Sequence, residues 1–176
     1  MSRLIHLNGA PGIGKTTLAR RYVTEHPGVL LCDIDEIRTS IGSWQVDDDA
    51  AGRARTAALG LITGYLTTGH DVVLPQLCAR EEQLSRFVAA AHDAGAEHVH
   101  VILTAEPELI VRRFRARALA ADDEWTAYLT ADWEQEGGDE AIRTWTARLD
   151  AFPALRVAST DPDTTYRALL AVLETA

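Results

Sequence analysis

Residues 9–16, Gly9-Ala10-Pro11-Gly12-Ile13-Gly14-Lys15-Thr16, satisfy the spacing G-x-x-x-x-G-K-[ST], and no other stretch restricts the fold as much. The glycines let the backbone curl until successive N–H groups converge on one point. A helix starting at that point adds the positive end of its dipole, so the expected ligand is a phosphate. Such a loop needs a strand before it and a helix after it. Leu4-Ile5-His6-Leu7 reads as a short buried strand, and Thr17-Leu18-Ala19-Arg20-Arg21-Tyr22-Val23 as the first turns of a helix. Gly9 through Thr17 are therefore the candidate nucleotide-binding residues. Lys15 is placed to reach the outer phosphates and the Thr16 hydroxyl to hold magnesium. Of the 17 basic residues, Lys15 is the only lysine. A chain that uses arginine everywhere else has kept a compact, flexible ammonium where phosphate oxygens must be met.

The remaining chain reads as strands alternating with helices. Pro27-Gly28 breaks the first helix, and Val29–Cys32 forms a second strand. Ligands of open α/β sheets bind beyond the carboxyl ends of the strands, so Asp33 and Asp35 are expected to face the loop, on one side by strand alternation. Ser43 to Asp49 forms a loop, and its run Asp47-Asp48-Asp49 reads either as a solvated helix start or as an attraction for a cationic ligand. Helices over Ala50–Thr67 and Arg80–Ala94 flank a third strand, Asp71–Pro75. That strand ends in Pro75-Gln76 rather than in an acid, so the metal role falls to Asp33, to Asp35 or to water.

A fourth strand, His98–Leu103, leads to a helix opened by Pro107 that carries Arg112, Arg113, Arg115 and Arg117. Arg113 and Arg117 are four residues apart on one face, an arrangement suited to a mobile lid that clamps phosphates. Helices over Asp122–Glu136 and Asp139–Asp150, a fifth strand at Leu155–Ala158 and a last helix from Pro162 complete the chain. The stripe Trp125, Tyr128, Leu129 and Trp133 reads as core, as do Cys32 and Cys78. His98 and His100 read as satisfied residues near the core. The implied fold class is α/β: a P-loop NTPase three-layer sandwich with a five-stranded parallel sheet flanked by helices, one domain over residues 1–176, and a helical lid over about 112–138.

With 176 residues and 47% hydrophobic content, the chain suits one sizeable core and is not a disordered polymer. No apolar run approaches a membrane span, and the first strand begins too near the N-terminus for a signal peptide, so a cytoplasmic location without membrane contact is expected. The formal charge of −9 disfavours a long nucleic acid as partner, because such binding rests on phosphate neutralisation.

A carboxylate facing a phosphate loop and arginines across from both are the parts that phosphoryl transfer needs: charge neutralisation, an in-line acceptor oxygen and a group that takes the acceptor's proton. Asp35 is the candidate base, with ATP and Mg2+ as the implied cofactors and a small-molecule hydroxyl as acceptor. Lys15, Asp35, Arg113 and Arg117 are the candidate catalytic set. Asp33 is a candidate both for the metal, with Thr16, and for the acceptor.

The chain resembles the P-loop small-molecule kinases, the group that includes chloramphenicol phosphotransferase, zeta toxins and the kinase domain of phage polynucleotide kinase. To the last, the resemblance is gapless from about Leu4 to Arg38, through Gly9, Pro11, Gly12, Gly14-Lys15, Thr17, Ala19-Arg20, Pro27-Gly28, Asp35 and Arg38. The resemblance implies that the acid at Asp35 is the general base, that Arg38 helps hold the acceptor, and that Ser159 to Asp161, with Thr160 central, lies beside the adenine. The lid motif of that group fits Arg113 and Arg117. Acceptor selection is then expected in Ser43 to Asp49, in Gln76 to Arg80 and in the lid, with Gln76 and Arg80 as candidate contacts. Similar compact kinases confer antibiotic resistance, and a role resembling tunicamycin resistance stays open. Two other readings compete: a polynucleotide 5′-hydroxyl kinase, and an ATP-binding regulatory switch in which Gln76 is the only candidate for aiming water.

Overall fold

The strand that precedes the glycine loop, β1 (Arg3–Asn8), lies at the centre of a five-stranded, all-parallel sheet. On one side of it come β3 (Val72–Pro75) and then β2 (Leu30–Leu31); on the other come β4 (Glu97–Thr104) and then β5 (Leu155–Ala158). The computed structural model describes residues 1–120 and 122–176; Ala121, inside the expected lid segment, lies outside the described residues. Helices α1 (Lys15–Glu25), α2 (Ile34–Thr39), α3 (Ala50–Leu66) and α4 (Glu81–Asp93) fall between β1 and β4. Helices α5 (Pro107–Ala120), α6 (Glu124–Gln135) and α7 (Asp139–Leu149) fill the connection from β4 to β5, and α8 (Pro162–Glu174) follows the last strand.

Parallel strands need both faces covered, and the alternation in β1 divides the core accordingly. Ile5 and Leu7 point to the side packed by Leu18 of α1, Ile110 and Phe114 of α5, and Leu169 of α8. Leu4 points to the other side, where Ala54, Ala58, Ile62 and Leu66 form one fully buried stripe of α3 at every fourth residue. The two alanines let α3 approach closely, and burying Ile62 and Leu66 stabilises the layer by about 1.5–3 kcal/mol each.

The segment after β2 departs from the sequence expectation. The second strand is only two residues long, and the chain turns at once into α2. Asp33 is the N-cap of that helix: its Oδ1 accepts from the Asp35 backbone N–H at 3.0 Å. Alternation along a strand therefore does not govern this pair. A short acidic side chain favours the cap position over an extended one, and Asp35 and Glu36 suit the first helical turn.

Helix α5 also differs from a lid that begins near residue 112. Its Ile110, Val111 and Phe114 are buried in the main core, so this half of the helix is scaffold. It presses on the glycine loop, where Gly12 adopts φ +83° and a Cβ would come within 3.2 Å of the Phe114 backbone nitrogen. Among the described residues, no helix is long and apolar enough to cross a membrane.

Candidate active site

Helix α1 begins at Gly14, which holds φ 105°, and no side chain caps it. Its first backbone N–H groups are thus left to an anion. The Lys15 ammonium reaches back over the loop and donates to the carbonyls of Gly9 at 2.8 Å and Ala10 at 3.0 Å. Burial lowers its pKa to about 8, while the carboxylates of Asp35 and Asp33 hold it up.

A cleft of about 570 Å³ opens beside this loop, lined by Lys15, Thr16, Asp35, Gln76, Arg80 and Arg117 among others. Residues expected on separate grounds are thus brought together around one space. Burial, and next the neighbouring Asp33 carboxylate, push Asp35 up to about 6 against the pull of Lys15, Arg117 and Arg38. Burial also raises Asp33, against the backbone hydrogen bond that it accepts. Asp33 is buried and committed to capping α2, and it is not among the residues lining the cleft. For magnesium, the available donors are oxygens: the Thr16 hydroxyl on the cleft wall, with phosphate oxygens of a nucleotide and water. That set fits an ion that keeps most of its waters and takes few protein ligands.

Arg113 and Arg117 do not act on one spot. Arg117 faces the cleft, whereas Arg113 Nη1 donates to Ser159 Oγ at 2.9 Å and its Nη2 to the Thr160 carbonyl. Ser159 Oγ in turn donates to the Ile13 carbonyl at 2.8 Å. A second cavity, of about 220 Å³, lies between these residues and the glycine loop, lined by Gly12, Thr17, Arg113, Thr160 and Pro162. Thr160 therefore sits beside the loop in a cavity that Asp35 does not line.

Arg38 is not among the residues lining the large cleft either. Its guanidinium lies in an aromatic cage, 4.5 Å from the Tyr128 ring, 5.7 Å from Trp125 and 5.9 Å from Trp44, and donates to the Tyr128 hydroxyl at 2.7 Å. The expected core stripe of α6 is accordingly divided: Trp133 is buried, Trp125 and Tyr128 build the cage, and Leu129 faces the cleft. The cage ties α6 to α2 and to the turn at Trp44. Removing the guanidinium in Arg38→Ala is expected to loosen α6 by about 1–2 kcal/mol. Amide exchange in α6 should then quicken roughly tenfold while β1 and β4 stay protected; unchanged exchange in α6 would show that the cage holds nothing.

Several residues of the site were not singled out from the sequence. Asn8, fully buried at the end of β1, accepts from the Gly9 N–H at 2.8 Å and the Cys78 N–H at 3.0 Å, and donates to the Cys78 carbonyl at 3.0 Å. It joins the start of the phosphate loop to the β3–α4 connection that carries Gln76 and Arg80. The sequence signal was a polar residue closing an apolar strand. Arg55, Gln83 and Arg148 also line the cleft. Arg55 stands next to Ala54 in a helix whose apolar face alone was read. Cys32 and Cys78 are buried, and burial pushes both thiols up to about 12, as the core reading requires. His6 stacks on His100 and meets His98 edge-on, ring centroids 5.2–5.8 Å apart, and burial holds all three below the usual imidazole range; His98 is not the satisfied residue expected, because its buried Nε2 has no hydrogen-bond partner among the described residues.

Comparison with known proteins bears on this architecture. The AAA_33 family model, described as an AAA domain, matches residues 4–136. No curated protein matches the chain. The tunicamycin resistance protein of Deinococcus radiodurans superposes with a TM-score of 0.62 at 14% identity, over 99% of this chain and 96% of that one. A gluconokinase from Sinorhizobium meliloti 1021 gives 0.57 at 16% identity, over 98% and 94%. The Pnkp1/Rnl/Hen1 RNA repair complex contains a chain that gives 0.64 at 17% identity, with 86% of this chain covering 46% of that one. The fold is that of the P-loop kinases, a five-stranded parallel sheet flanked by helices.

Proposed function

The chain belongs to the AAA_33 family of AAA domains, and from that premise we propose that it is an ATP-dependent phosphotransferase acting on the hydroxyl of a small molecule. The observation that carries this reading is one cleft lined by both the lysine of the phosphate loop and a carboxylate, Asp35, pushed up to about 6 by burial. A carboxylate with that proton affinity is ionised at neutral pH yet basic enough to accept a hydroxyl proton as the oxygen attacks.

Each part of the site then has a task. The uncapped start of α1 and the curled glycine loop hold the ATP phosphates, and Lys15 and Arg117 balance charge on the group in transit. Magnesium bound with the nucleotide supplies further charge neutralisation, with Thr16 as its protein ligand. The acceptor oxygen forms a bond to the γ-phosphorus, the bond from that phosphorus to the bridging oxygen breaks, and its electron pair leaves on ADP. The hydroxyl proton passes to an Asp35 carboxylate oxygen. The nucleoside end of ATP fits the smaller cavity beside Arg113 and Thr160, which shares Gly12, Gly14 and Thr17 with the cleft.

The test is a transfer screen with ATP labelled in the γ-phosphate and magnesium, against nucleosides, sugars, hydroxylated antibiotics and a short oligonucleotide, with Asp35→Ala alongside. A labelled small-molecule product that the variant fails to make is the expected result, and it names the acceptor class. Labelled oligonucleotide alone would move the reading to a polynucleotide 5′-hydroxyl kinase. Free phosphate released equally by both proteins, with no labelled product, would favour an ATP-driven switch.

A further inference from the structure

Resting on the phosphotransferase reading above, we propose that the acceptor is a small alcohol that also carries an anionic group, a carboxylate or a phosphate, held by Arg55 and Arg80. The chain has 26 acids against 17 bases, so an arginine on its surface ordinarily finds a carboxylate. Among the described residues, six arginine side chains make neither an ion pair nor a hydrogen bond: Arg55, Arg80, Arg86, Arg112, Arg117 and Arg148. The others are paired as Arg3, Arg20 and Arg53 are, or bonded as Arg38, Arg113 and Arg167 are. Four of those six, Arg55, Arg80, Arg117 and Arg148, line the cleft that holds Lys15 and Asp35. With Lys15 the cleft holds five cationic groups against three carboxylates, Asp35, Asp132 and Glu136, a surplus of two in a chain whose net charge is −9. Guanidinium groups left without partners in a concave site attract and orient an anion.

The cations divide by place. Lys15 belongs to the phosphate loop, and Arg117, on α5, lines the cleft with it and with Asp35, at the transfer centre. Arg55 comes instead from α3, and Arg80 from the N-cap of α4, where the β3–α4 connection that holds Cys78 ends. Gln76 and Gln83 complete this wall, which carries donors and no carboxylate; Asp132 and Glu136 come from α6 and its C-cap. The wall is fixed from behind, because Asn8 grips the Cys78 backbone through both its N–H and its carbonyl. A pair of planar guanidiniums suits a carboxylate or phosphate, which accepts two parallel hydrogen bonds. The alternative attraction, of a cation by Asp47 to Asp49, finds no support in the site. Asp47 bonds to Arg53 and to the Asp49 backbone, and none of the three lines the cleft.

Matched pairs of alcohols test the proposal on the full chain with magnesium and labelled ATP: gluconate with glucose, glycerate with glycerol, and a nucleoside 3′-phosphate with its nucleoside. The anionic member of at least one pair is expected to react with a kcat/KM about tenfold or more above its neutral twin. Whether carboxylate or phosphate pairs show the advantage identifies the anion. In Arg55→Gln/Arg80→Gln that advantage should vanish, the ratio falling to about one through KM. Equal or better transfer to the neutral members overturns the anionic acceptor and leaves the phosphotransferase reading standing. If no pair reacts, binding decides: with Mg-ADP on the loop, millimolar inorganic phosphate should raise the melting temperature of the wild type and not of the double variant, and equal shifts overturn the proposal. Free phosphate without any labelled product, together with a shift lost in the variant, would instead sink the transfer reading and keep the anion site. The unliganded double variant should melt no lower than the wild type, since the two guanidiniums bond to nothing in the protein.

Discussion

Replacing Asp35 with asparagine is expected to lower kcat for phosphate transfer about 10²–10⁴-fold, the usual worth of a positioned base, without weakening ATP binding. The amide has nearly the shape of the carboxylate but accepts no proton, and losing a negative charge beside the phosphates does not repel the nucleotide. The pH dependence offers a second readout. Transfer in the wild type should rise as Asp35 ionises through about 6 and fall as Lys15 loses its proton near about 8, so kcat/KM should be bell-shaped between those values. The variant should lose the acidic limb.

The same shift carries a sign for stability. The folded protein holds the Asp35 proton more tightly than the unfolded chain, whose carboxyl titrates near 3.8. Between roughly that value and about 6 the native state binds more protons, so this group's contribution declines as pH rises and is fully unfavourable above the folded pKa. Asp35→Asn should therefore be more stable than the wild type at pH 7, by roughly 1–3 kcal/mol, and gain nothing at pH 3. A variant that transfers phosphate normally, or whose stability gain is the same at both pH values, would remove Asp35 from the role of base.

Asn8→Ala is expected to destabilise the fold by about 3–5 kcal/mol, more than any other single polar truncation in the site. The substitution strands three buried main-chain groups at once, the N–H of Gly9 and both the N–H and carbonyl of Cys78. Each would cost about 1–3 kcal/mol, and the His100 ring loses a neighbour at 3.1 Å as well. At about 2–4 °C per kcal/mol for a chain of this size, thermal melting should fall by roughly 10 °C. Asn8→Asp keeps both acceptor contacts while losing the donor, and should land between the two. A loss below about 1 kcal/mol in Asn8→Ala would mean that water replaces the side chain.

The sequence made the sheet and the nucleotide side legible for a definite reason. The phosphate loop is a local device whose residues touch the ligand through adjacent backbone, so spacing alone specifies it. Strand β5 and helix α8 were equally plain, because Pro162 and Asp161 mark the helix start and apolar runs of clean length flank it. The acceptor side was legible only in part. Asp35 was identified through its neighbours in sequence, but the reason for its position, a helix cap by Asp33, was hidden behind an apparent strand. Arg38 was placed by resemblance beside the acceptor, whereas the cage that encloses it is built from Trp44 and α6, far apart in the chain. Arg55 and Arg148 escaped notice because nothing local separates a cleft-facing arginine from a solvated one. Only the tertiary arrangement shows which of them has been left without a carboxylate.

All four tryptophans of the chain lie on the lid side: Trp44 and Trp125 in the cage around Arg38, Trp133 against Phe114, and Trp145 on the cleft wall. None is in the sheet. Intrinsic fluorescence therefore reports on the Arg38 cage, the contact of α6 with α5 and the cleft wall, and not on the sheet. Emission recorded during rapid mixing with nucleotide, and then with acceptor, would time rearrangement of these surroundings separately from chemistry in an unlabelled, unmodified protein.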